Sequence, residues 1–286
     1  YVNFIARFRD IAKKQFTKEH VPEKHCQENL WLIKPANMNQ GRGIEIFNNL
    51  KDIQAFFNTQ AANSFWVAQK YIEKPLLYYG RKFDIRVWVI VTAKMEIFFY
   101  RTPYMRTSSN EYVTDAFDNY IHLTNNCLQK HGDNFGRFEA GNTLPLASLQ
   151  DYIDEAFPQH GVSVEKHLIP RMKDLIIDTI LSVKKSLNPK RRKNCFELFG
   201  YDFLIDEDYR TWLLEVSFRH IFIPLTLPLR STLIHIWAFL MNLSKLCFLK
   251  WLMICLESFL ILSILPQIQM PFVNLISKIS LTFSFS

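Results

Sequence analysis

The sequence predicts an α+β protein, and three patterns within residues 1–216 indicate this fold class. Short apolar or alternating stretches are typical of strands, and one long segment with apolar residues three and four positions apart is typical of a helix. Two apolar stretches on either side of a charged tetrapeptide predict an antiparallel hairpin. A chain of 286 residues, of which 49% are hydrophobic, can form one large domain or two modest ones.

The predicted strands in the first half of the chain are mainly apolar, and one of them carries three charged residues on one face. In the segment 82–91 the odd-numbered positions are apolar, whereas Lys82, Asp84 and Arg86 share the opposite face. Three charged groups are costly inside a core, so this face should border a ligand or a cleft unless the strand lies at the surface. The other predicted strands are 30–34, 65–72 and 95–101.

The predicted helix covers residues 165–187, where apolar side chains recur at helical spacing from Leu168 to Val183. Pro189 follows the end of this segment, as is common after a helix. The adjoining residues 188–194 read NPKRRKN and are predicted to form a basic loop. Such a loop is either a contact for an acidic partner or an ordinary solvated loop.

The predicted hairpin joins two apolar strands, 198–206 and 211–217, through a loop of residues 207–210. The length of this loop sets the register in which the two strands pair. The pairs predicted nearest the loop are Ile205 with Trp212 and Asp206 with Thr211.

Further along the hairpin, the same register places Asp202 opposite Glu215. Opposed residues of an antiparallel pair have Cβ atoms roughly 5 Å apart, and two carboxylates at that distance repel each other unless a cation lies between them. Mg²⁺ binds carboxylates together with substrate phosphates. The hairpin therefore predicts a magnesium site, and the alternative is a solvated turn with incidental acids.

A second candidate site lies in residues 30–47, where an apolar strand ends at Lys34 and the glycines Gly41 and Gly43 follow. Glycine lets backbone N–H groups approach a phosphate, and a lysine on the adjoining strand can neutralise it. The pattern is neither a P-loop nor a dinucleotide fingerprint, so a plain hairpin loop fits equally well. His122 lies in another polar segment, but spacing alone predicts no catalytic role for it.

Composition excludes several classes of protein. The net charge of +7 is modest for a chain of this length, and nucleic-acid binding, which requires a denser basic face, is not expected. The five cysteines include no C-x-x-C pair. We therefore expect a reduced, cytosolic chain without a disulfide framework or zinc site.

Both ends of the chain differ from the middle. Residue 1 is Tyr rather than Met, so we expect a fragment that lacks its true N-terminus. Residues 217–286 are apolar with little charge, and we expect this tail not to belong to the fold, as if an unspliced intron or a shifted frame had been translated. The alternative is a membrane anchor within residues 231–265, which Lys245, Lys250 and Glu257 interrupt.

Six motifs in one order resemble the tubulin tyrosine ligase-like family and cover roughly residues 30–216. They are WLIKP with GRGI, QKYIEKPLL, RKFDIR, HLTN, LFGYDFLIDE and WLLEV. Two further segments, RTSSNEY at 106–112 and NFGRFEAGN at 134–142, are similar to the member of the family that adds tyrosine.

The resemblance implies an ATP-grasp fold, in which two α+β lobes with antiparallel sheets enclose ATP. Residues 1–75 would belong to the central lobe, 76–216 to the C-terminal lobe, and 217–286 to neither. Matching positions imply that ATP contacts Lys34, Gln69, Lys70, Ile72, Lys82, Asp84 and Thr124. They imply that Arg86 and Arg106 hold the transferred phosphate, and that Asp202 and Glu215 bind Mg²⁺.

The implied reaction is ATP-dependent ligation of a free amino acid to a carboxylate of tubulin, through an acyl phosphate. The acidic tails of tubulin or microtubules would be the partner, in the cytoplasm, the cytoskeleton or a cilium. Tyrosine is favoured over glutamate and glycine by the two similar segments. One departure is Ser217, where the family has a metal-binding Asn. The alternatives are therefore a catalytically impaired member that only binds nucleotide or tubulin, and an ATP-grasp ligase with a small-molecule acceptor.

Overall fold

The computed structural model describes residues 22–36, 38, 41–61, 65–193 and 195–219, and the structural statements that follow concern these residues. Among them, residues up to 189 and from 197 onward form one compact unit, to which residues 190–196 do not belong. The predicted tail lies outside the described residues except for its first three positions, as do residues 1–21 of the predicted first lobe.

The described part of the chain is an α+β structure, as predicted. Its strands are β1 (Trp31–Pro35), β2 (Glu45–Phe47), β3 (Trp66–Lys70), β4 (Leu77–Tyr78), β5 (Arg81–Thr92), β6 (Ile97–Phe99), β7 (Tyr104–Glu111), β8 (Thr143–Pro145), β9 (Phe196–Ile205) and β10 (Thr211–Arg219). Its α-helices are α1 (Leu50–Asn58), α2 (Asn119–His122), α3 (Asn126–Gln129), α4 (Ala147–Ala156) and α5 (Ile169–Leu187). None of the described helices is long and apolar enough to cross a bilayer.

The strands form two antiparallel sheets. In the small sheet the order is β2-β1-β3, and in the large sheet it is β10-β9-β5-β7-β8, with β4 and β6 also paired to β5. The central position of β5 follows from its sequence, because a twelve-residue strand with an uninterrupted apolar face can pair along both edges.

The two faces of β5 have different surroundings. Phe83 and Ile85, on the apolar face, are at most 1% exposed, and they belong to the same core as Met172, Ile176 and Ile180 of α5. Each such side chain stabilises the fold by about 1.5–3 kcal/mol when it is fully buried. This packing fixes the charged face of β5 on the opposite side of the sheet.

The helix predicted at 165–187 is confirmed with one irregularity. A single π-helical turn, Val164–Leu168, precedes the regular α-helix, which begins at Ile169. Pro170 lacks a backbone N–H and cannot donate to the carbonyl of residue 166, so regular α-helical hydrogen bonding is interrupted there.

The hairpin register is predicted correctly at the carboxylates and wrongly at the turn. Ile205 pairs with Thr211 rather than Trp212. A shift between Leu213 and Glu215 then leaves an extra residue on β10, so that Glu215 pairs with Asp202 as predicted. The bulge thus compensates for a turn that is one residue longer than expected.

The turn is longer because Asp206 belongs to it. The Asp206 carboxylate accepts from the backbone N–H groups of Asp208 (3.0 Å) and Arg210 (2.9 Å), from His25 Nε2 (3.1 Å) and from Trp212 Nε1 (2.9 Å). Burial acts to raise its pKa, but these donors outweigh burial and lower the pKa to about 2. Asp206 is therefore a buried anchor of the turn rather than an incidental surface acid.

We expect Asp206→Asn to lower the free energy of unfolding by about 3 kcal/mol at pH 7, because an amide cannot accept from all four donors. The folded-state pKa lies below the unfolded value of 3.8, so this stabilisation is lost as the pH falls from 3.8 towards 2. Urea unfolding of both proteins between pH 2 and 7 measures the difference.

The matched control is Asp208→Asn, since the Asp208 side chain is 72% exposed in the same turn. It should change stability by about 0.5 kcal/mol or less. Equal losses for the two substitutions would contradict the anchoring role of Asp206.

Candidate functional site

A pocket with about 590 Å³ of empty space, counting the part open to solvent, lies between the two sheets. Its walls come from β1 and β3 of the small sheet and from β5, β9 and β10 of the large one. The predicted site residues among its lining are Lys34, Gln69, Lys70, Ile72, Lys82, Asp84, Thr124, Asp202 and Glu215. The structure therefore brings together residues from six separate segments of the sequence.

One wall of the pocket is cationic. Lys82 is 6% exposed, and its Nζ donates to Tyr71 Oη (2.9 Å) and to the carbonyl of His122 (2.8 Å). Burial lowers the pKa of Lys82 to about 7, with a further lowering from the charge of Lys34 and an opposing effect of Asp84. Burial also lowers the pKa of Lys34. An anionic group between these two lysines would stabilise both charges.

Behind the pocket, the charged face of β5 continues as a network of ion pairs. Arg106 Nε donates to Asp84 Oδ1 (2.7 Å), and Arg106 Nη2 donates to Asp202 Oδ2 (2.8 Å). Arg86 donates to both oxygens of Asp202, with 3.0 Å from Nη2 to Oδ2. Arg86 and Arg106 are not part of the pocket lining, and in this structure they bind carboxylates.

The network stabilises the charged form of Asp202. Burial alone would raise the pKa of Asp202, but Arg106 and Arg86 lower it below its usual value. Burial likewise opposes the charge of Arg106, whose pKa is nevertheless raised by Asp84 and Asp202. Thr124 Oγ1 donates a hydrogen bond to the carboxylate of Asp84, which Arg106 also contacts. The site thus holds fixed negative charge beside its lysines.

The predicted magnesium ligands can be tested against this geometry. Asp202 and Glu215 face each other across the hairpin and both line the pocket, Glu215 being exposed. No group of three or more His, Cys, Asp or Glu side chains in the described ranges could hold a metal ion alone. Magnesium commonly combines one or two carboxylates with substrate phosphates, so the donor set fits an ion that arrives with a phosphorylated ligand.

The side chain of Ser217, two residues beyond Glu215, lies where the sequence resemblance leads us to expect a further metal ligand. Its hydroxyl donates to the carbonyl of Gly200 (3.2 Å), and it lies on the same face of the hairpin as Asp202 and Glu215. The serine side chain is shorter than the asparagine side chain that the resemblance predicts at this position.

Part of the pocket lining is apolar, namely Leu32, Ile44, Ile72 and Leu204. Gln69 and Lys70 also border it, but the Lys70 ammonium is committed elsewhere. It donates to the carbonyls of residues 30 (2.9 Å) and 71 (3.1 Å) and to the carboxylate of residue 73 (2.7 Å). A ligand in this arrangement would contact the backbone and the aliphatic part of the Lys70 side chain.

Three polar lining residues were not among the predicted site residues: Tyr71, His122 and Asn125. His122 Nε2 donates to the carbonyl of Ala116 (2.7 Å), and its Nδ1 lies 2.9 Å from Tyr71 Oη. Burial lowers the pKa of His122 to about 4, so the ring is neutral at pH 7 and supports Tyr71. Tyr71 lies between the predicted contacts Lys70 and Ile72 in the motif QKYIEKPLL, and Asn125 follows Thr124 in HLTN. Both residues were therefore within reach of the motifs.

Gly41, in the glycine-containing segment, lies against Asn125 of the pocket lining. A Cβ atom on Gly41 would lie 3.0 Å from Asn125 Oδ1, and Gly41 has a φ of +79° that favours glycine. Gly41 therefore packs closely against Asn125, and Ile44, three residues later, lines the pocket.

Comparisons with known proteins agree with the resemblance of the motifs. The model of the tubulin-tyrosine ligase family matches residues 5–223. Tubulin glycylase 3A of Drosophila melanogaster is 37% identical over 208 residues, which cover 70% of this chain and 21% of that protein. Tubulin glycylase 3C of Tetrahymena thermophila is 38% identical over 221 residues, or 75% of this chain and 20% of that protein.

A human relative is similar to the same extent. Tubulin monoglycylase TTLL3 of Homo sapiens is 33% identical over 222 residues, which cover 74% of this chain and 28% of the human protein. The aligned part of this chain thus spans between a fifth and under a third of the length of these relatives.

The buried Lys82 gives a testable dependence of stability on pH. The unfolded lysine keeps its proton up to about pH 10.5, whereas the folded one loses it near pH 7, so the unfolded chain binds more protons between these values. We expect the free energy of unfolding to rise by about 2 kcal/mol between pH 7 and 9 from this group. The Lys82→Met variant should lack this rise in denaturant unfolding.

Lys51→Met is the control, because Lys51 is exposed on α1 and should leave the rise unchanged. If wild type and Lys82→Met gave parallel curves over this range, Lys82 would not be buried as a strained cation.

Proposed function

The chain belongs to the tubulin-tyrosine ligase family, and on that premise we propose that it carries the nucleotide and metal site of an ATP-dependent ligase that adds glycine to tubulin. The amino acid is proposed from the names of the relatives, which are tubulin glycylases and a tubulin monoglycylase. Glycine accordingly replaces tyrosine, which two short segments favoured.

The observation that carries the proposal is the distribution of charge around the pocket. Lys34 and Lys82 provide cations at the same cavity into which the carboxylates Asp202 and Glu215 face. A ligand that suits both groups is anionic itself and brings a metal cation, as a nucleotide with Mg²⁺ does. The apolar part of the pocket lining would suit a base.

ATP would supply the phosphoryl group that activates the acceptor carboxylate as an acyl phosphate, and Mg²⁺ would neutralise charge on the phosphates. The chain would contribute position and electrostatics. Lys34 and Lys82 would orient the phosphates, and Asp202 and Glu215 would hold the metal. Arg86 and Arg106 would stabilise the transferred phosphate, which requires at least one of them to turn from its carboxylate partner.

Three further parts of the proposal rest on the family. Residues 1–75 and 76–216 would form the two lobes of an ATP-grasp fold. Glycine would be the free amino acid substrate, and the acidic tails of tubulin or microtubules the acceptor. The site of action would be the cytoplasm or cytoskeleton, with a cilium as one such location.

A second candidate is an impaired family member that binds nucleotide or tubulin without turnover. Ser217 favours it, because its hydroxyl is engaged with the carbonyl of Gly200 (3.2 Å) and does not replace an amide ligand.

The proposed activity predicts ATP-dependent incorporation of labelled glycine into tubulin by the full chain. Parallel reactions with labelled glutamate and tyrosine should give about tenfold less product or none. Asp202→Asn should reduce incorporation by about 100-fold or more, because it removes one of the two carboxylates that would hold the metal. Scintillation counting of precipitated tubulin measures each rate.

The outcomes separate the candidates. Incorporation of glutamate or tyrosine in place of glycine would overturn the choice of amino acid. ATP binding without incorporation of any of the three would favour the impaired member. ATP turnover that does not depend on tubulin would point to a small-molecule acceptor.

The metal assignment predicts a rise in melting temperature that requires ATP and Mg²⁺ together, because a ligand that binds only the folded state stabilises it. Glu215→Gln should abolish most of this rise, and Ser217→Asn should increase it by supplying an amide ligand. Glu165→Gln, an exposed substitution away from the pocket, is the control. Equal responses of wild type and Glu215→Gln in a thermal-shift assay would rule out Glu215 as a metal ligand.

A further inference from the structure

Gly200 lies in β9 at a place where there is no room for a side chain. A Cβ atom built on it would lie 2.9 Å from Ser217 Oγ, 3.1 Å from Arg86 Nη1 and 3.3 Å from Trp88 Cζ3. Gly200 is not among the glycines with positive φ, so its backbone conformation is open to any residue. The glycine is therefore needed for space and not for its backbone freedom.

The three neighbours differ in how easily they could move away. The Ser217 hydroxyl can rotate about one bond and would lose only its hydrogen bond to the Gly200 carbonyl. Arg86 is held on two sides, because it donates to both oxygens of Asp202 and its guanidinium lies 5.2 Å from the centre of the Trp88 ring. Extra volume at position 200 would therefore act mainly on Arg86.

We infer that Gly200 is a positioning residue of the proposed site: the absence of a Cβ leaves room for the Arg86 guanidinium beside β9, where it donates to Asp202. This inference rests on the proposed function, because Arg86 and Asp202 are placed there at the transferred phosphate and the metal. Gly200 itself is not part of the pocket lining. It acts through the orientation of Arg86, which in turn stabilises the charge on Asp202 at the pocket wall.

The geometry predicts a specific kind of defect. Gly200→Ala adds one methyl group, which must displace Arg86 by a few tenths of an ångström or more from its two hydrogen bonds. Misplacement of a group that binds the reacting phosphate lowers the rate by about 10- to 100-fold. The affinity for Mg²⁺–ATP should fall with it, whereas the KM for glycine should change by less than about twofold, since uniform binding of that substrate is untouched.

The decisive experiment is a double-mutant cycle on the full chain, with Mg²⁺–ATP affinity measured by titration calorimetry. Gly200→Ala should weaken binding by about tenfold in the wild-type background. In the Arg86→Ala background it should weaken binding by less than about twofold, because the side chain that it displaces is already gone. The matched cycle uses Ser217→Ala in place of Arg86→Ala and should leave the effect of Gly200→Ala nearly intact.

Two results would overturn the inference. One is an effect of Gly200→Ala that is the same with and without Arg86, and the other is stronger coupling to Ser217 than to Arg86. If Gly200→Ala does not fold, the double variant with Arg86→Ala decides: recovery of cooperative unfolding supports the inference, and continued failure to fold contradicts it.

The cycle also separates this inference from the proposed function. It is read from binding, so a chain that binds Mg²⁺–ATP without transferring glycine refutes the ligase proposal and still reports the role of Gly200. A chain that transfers glycine but shows no coupling between Gly200 and Arg86 keeps the ligase proposal and removes the positioning role.

Discussion

The carboxylate of Asp202, held between two arginines, is the interaction on which the site depends. Arg86 comes from β5, Arg106 from β7 and Asp202 from β9, so one charged cluster joins three neighbouring strands of the large sheet. Burying such charges costs more free energy of desolvation than their interactions contribute, unless nearly every hydrogen-bond donor and acceptor is paired. An apolar core of the same volume would be at least as stable, and we attribute the retention of this cluster to the chemistry of the pocket rather than to stability.

How far the sequence could predict the fold depended on whether local periodicity controlled the structure. The alternation in β5 and the helical spacing of Met172, Ile176 and Ile180 state directly which face is buried, and both predictions are confirmed. The turn of the hairpin was different. Its conformation depends on Asp206, whose carboxylate binds His25 from 181 residues earlier in the chain, and no local pattern records such a contact.

The candidate site shows the same division. The charged face of β5 predicted a cleft, and Lys82 and Asp84 do line one. What the sequence could not give is how the charges pair, because an alternating stripe does not say that Arg106 turns towards Asp84 and Asp202. Tyr71 was missed although its neighbours Lys70 and Ile72 were predicted, because the sequence does not show that its hydroxyl accepts a hydrogen bond from the buried Lys82.

The pairing of charges narrows the class of ligand more than their number does. Asp84 and Asp202 are both paired with an arginine. Lys82 donates to neutral oxygens, and the exposed Glu215 faces the same pocket. Lys34 already interacts favourably with Glu215, but a simple anion would add repulsion at that carboxylate, and a simple cation would add repulsion at Lys82. A metal-bound polyphosphate satisfies both, since its oxygens approach the lysine while its cation approaches the carboxylate. The pocket thus suits a ligand that carries both charges, with its anionic oxygens at Lys82 and its cation at Glu215.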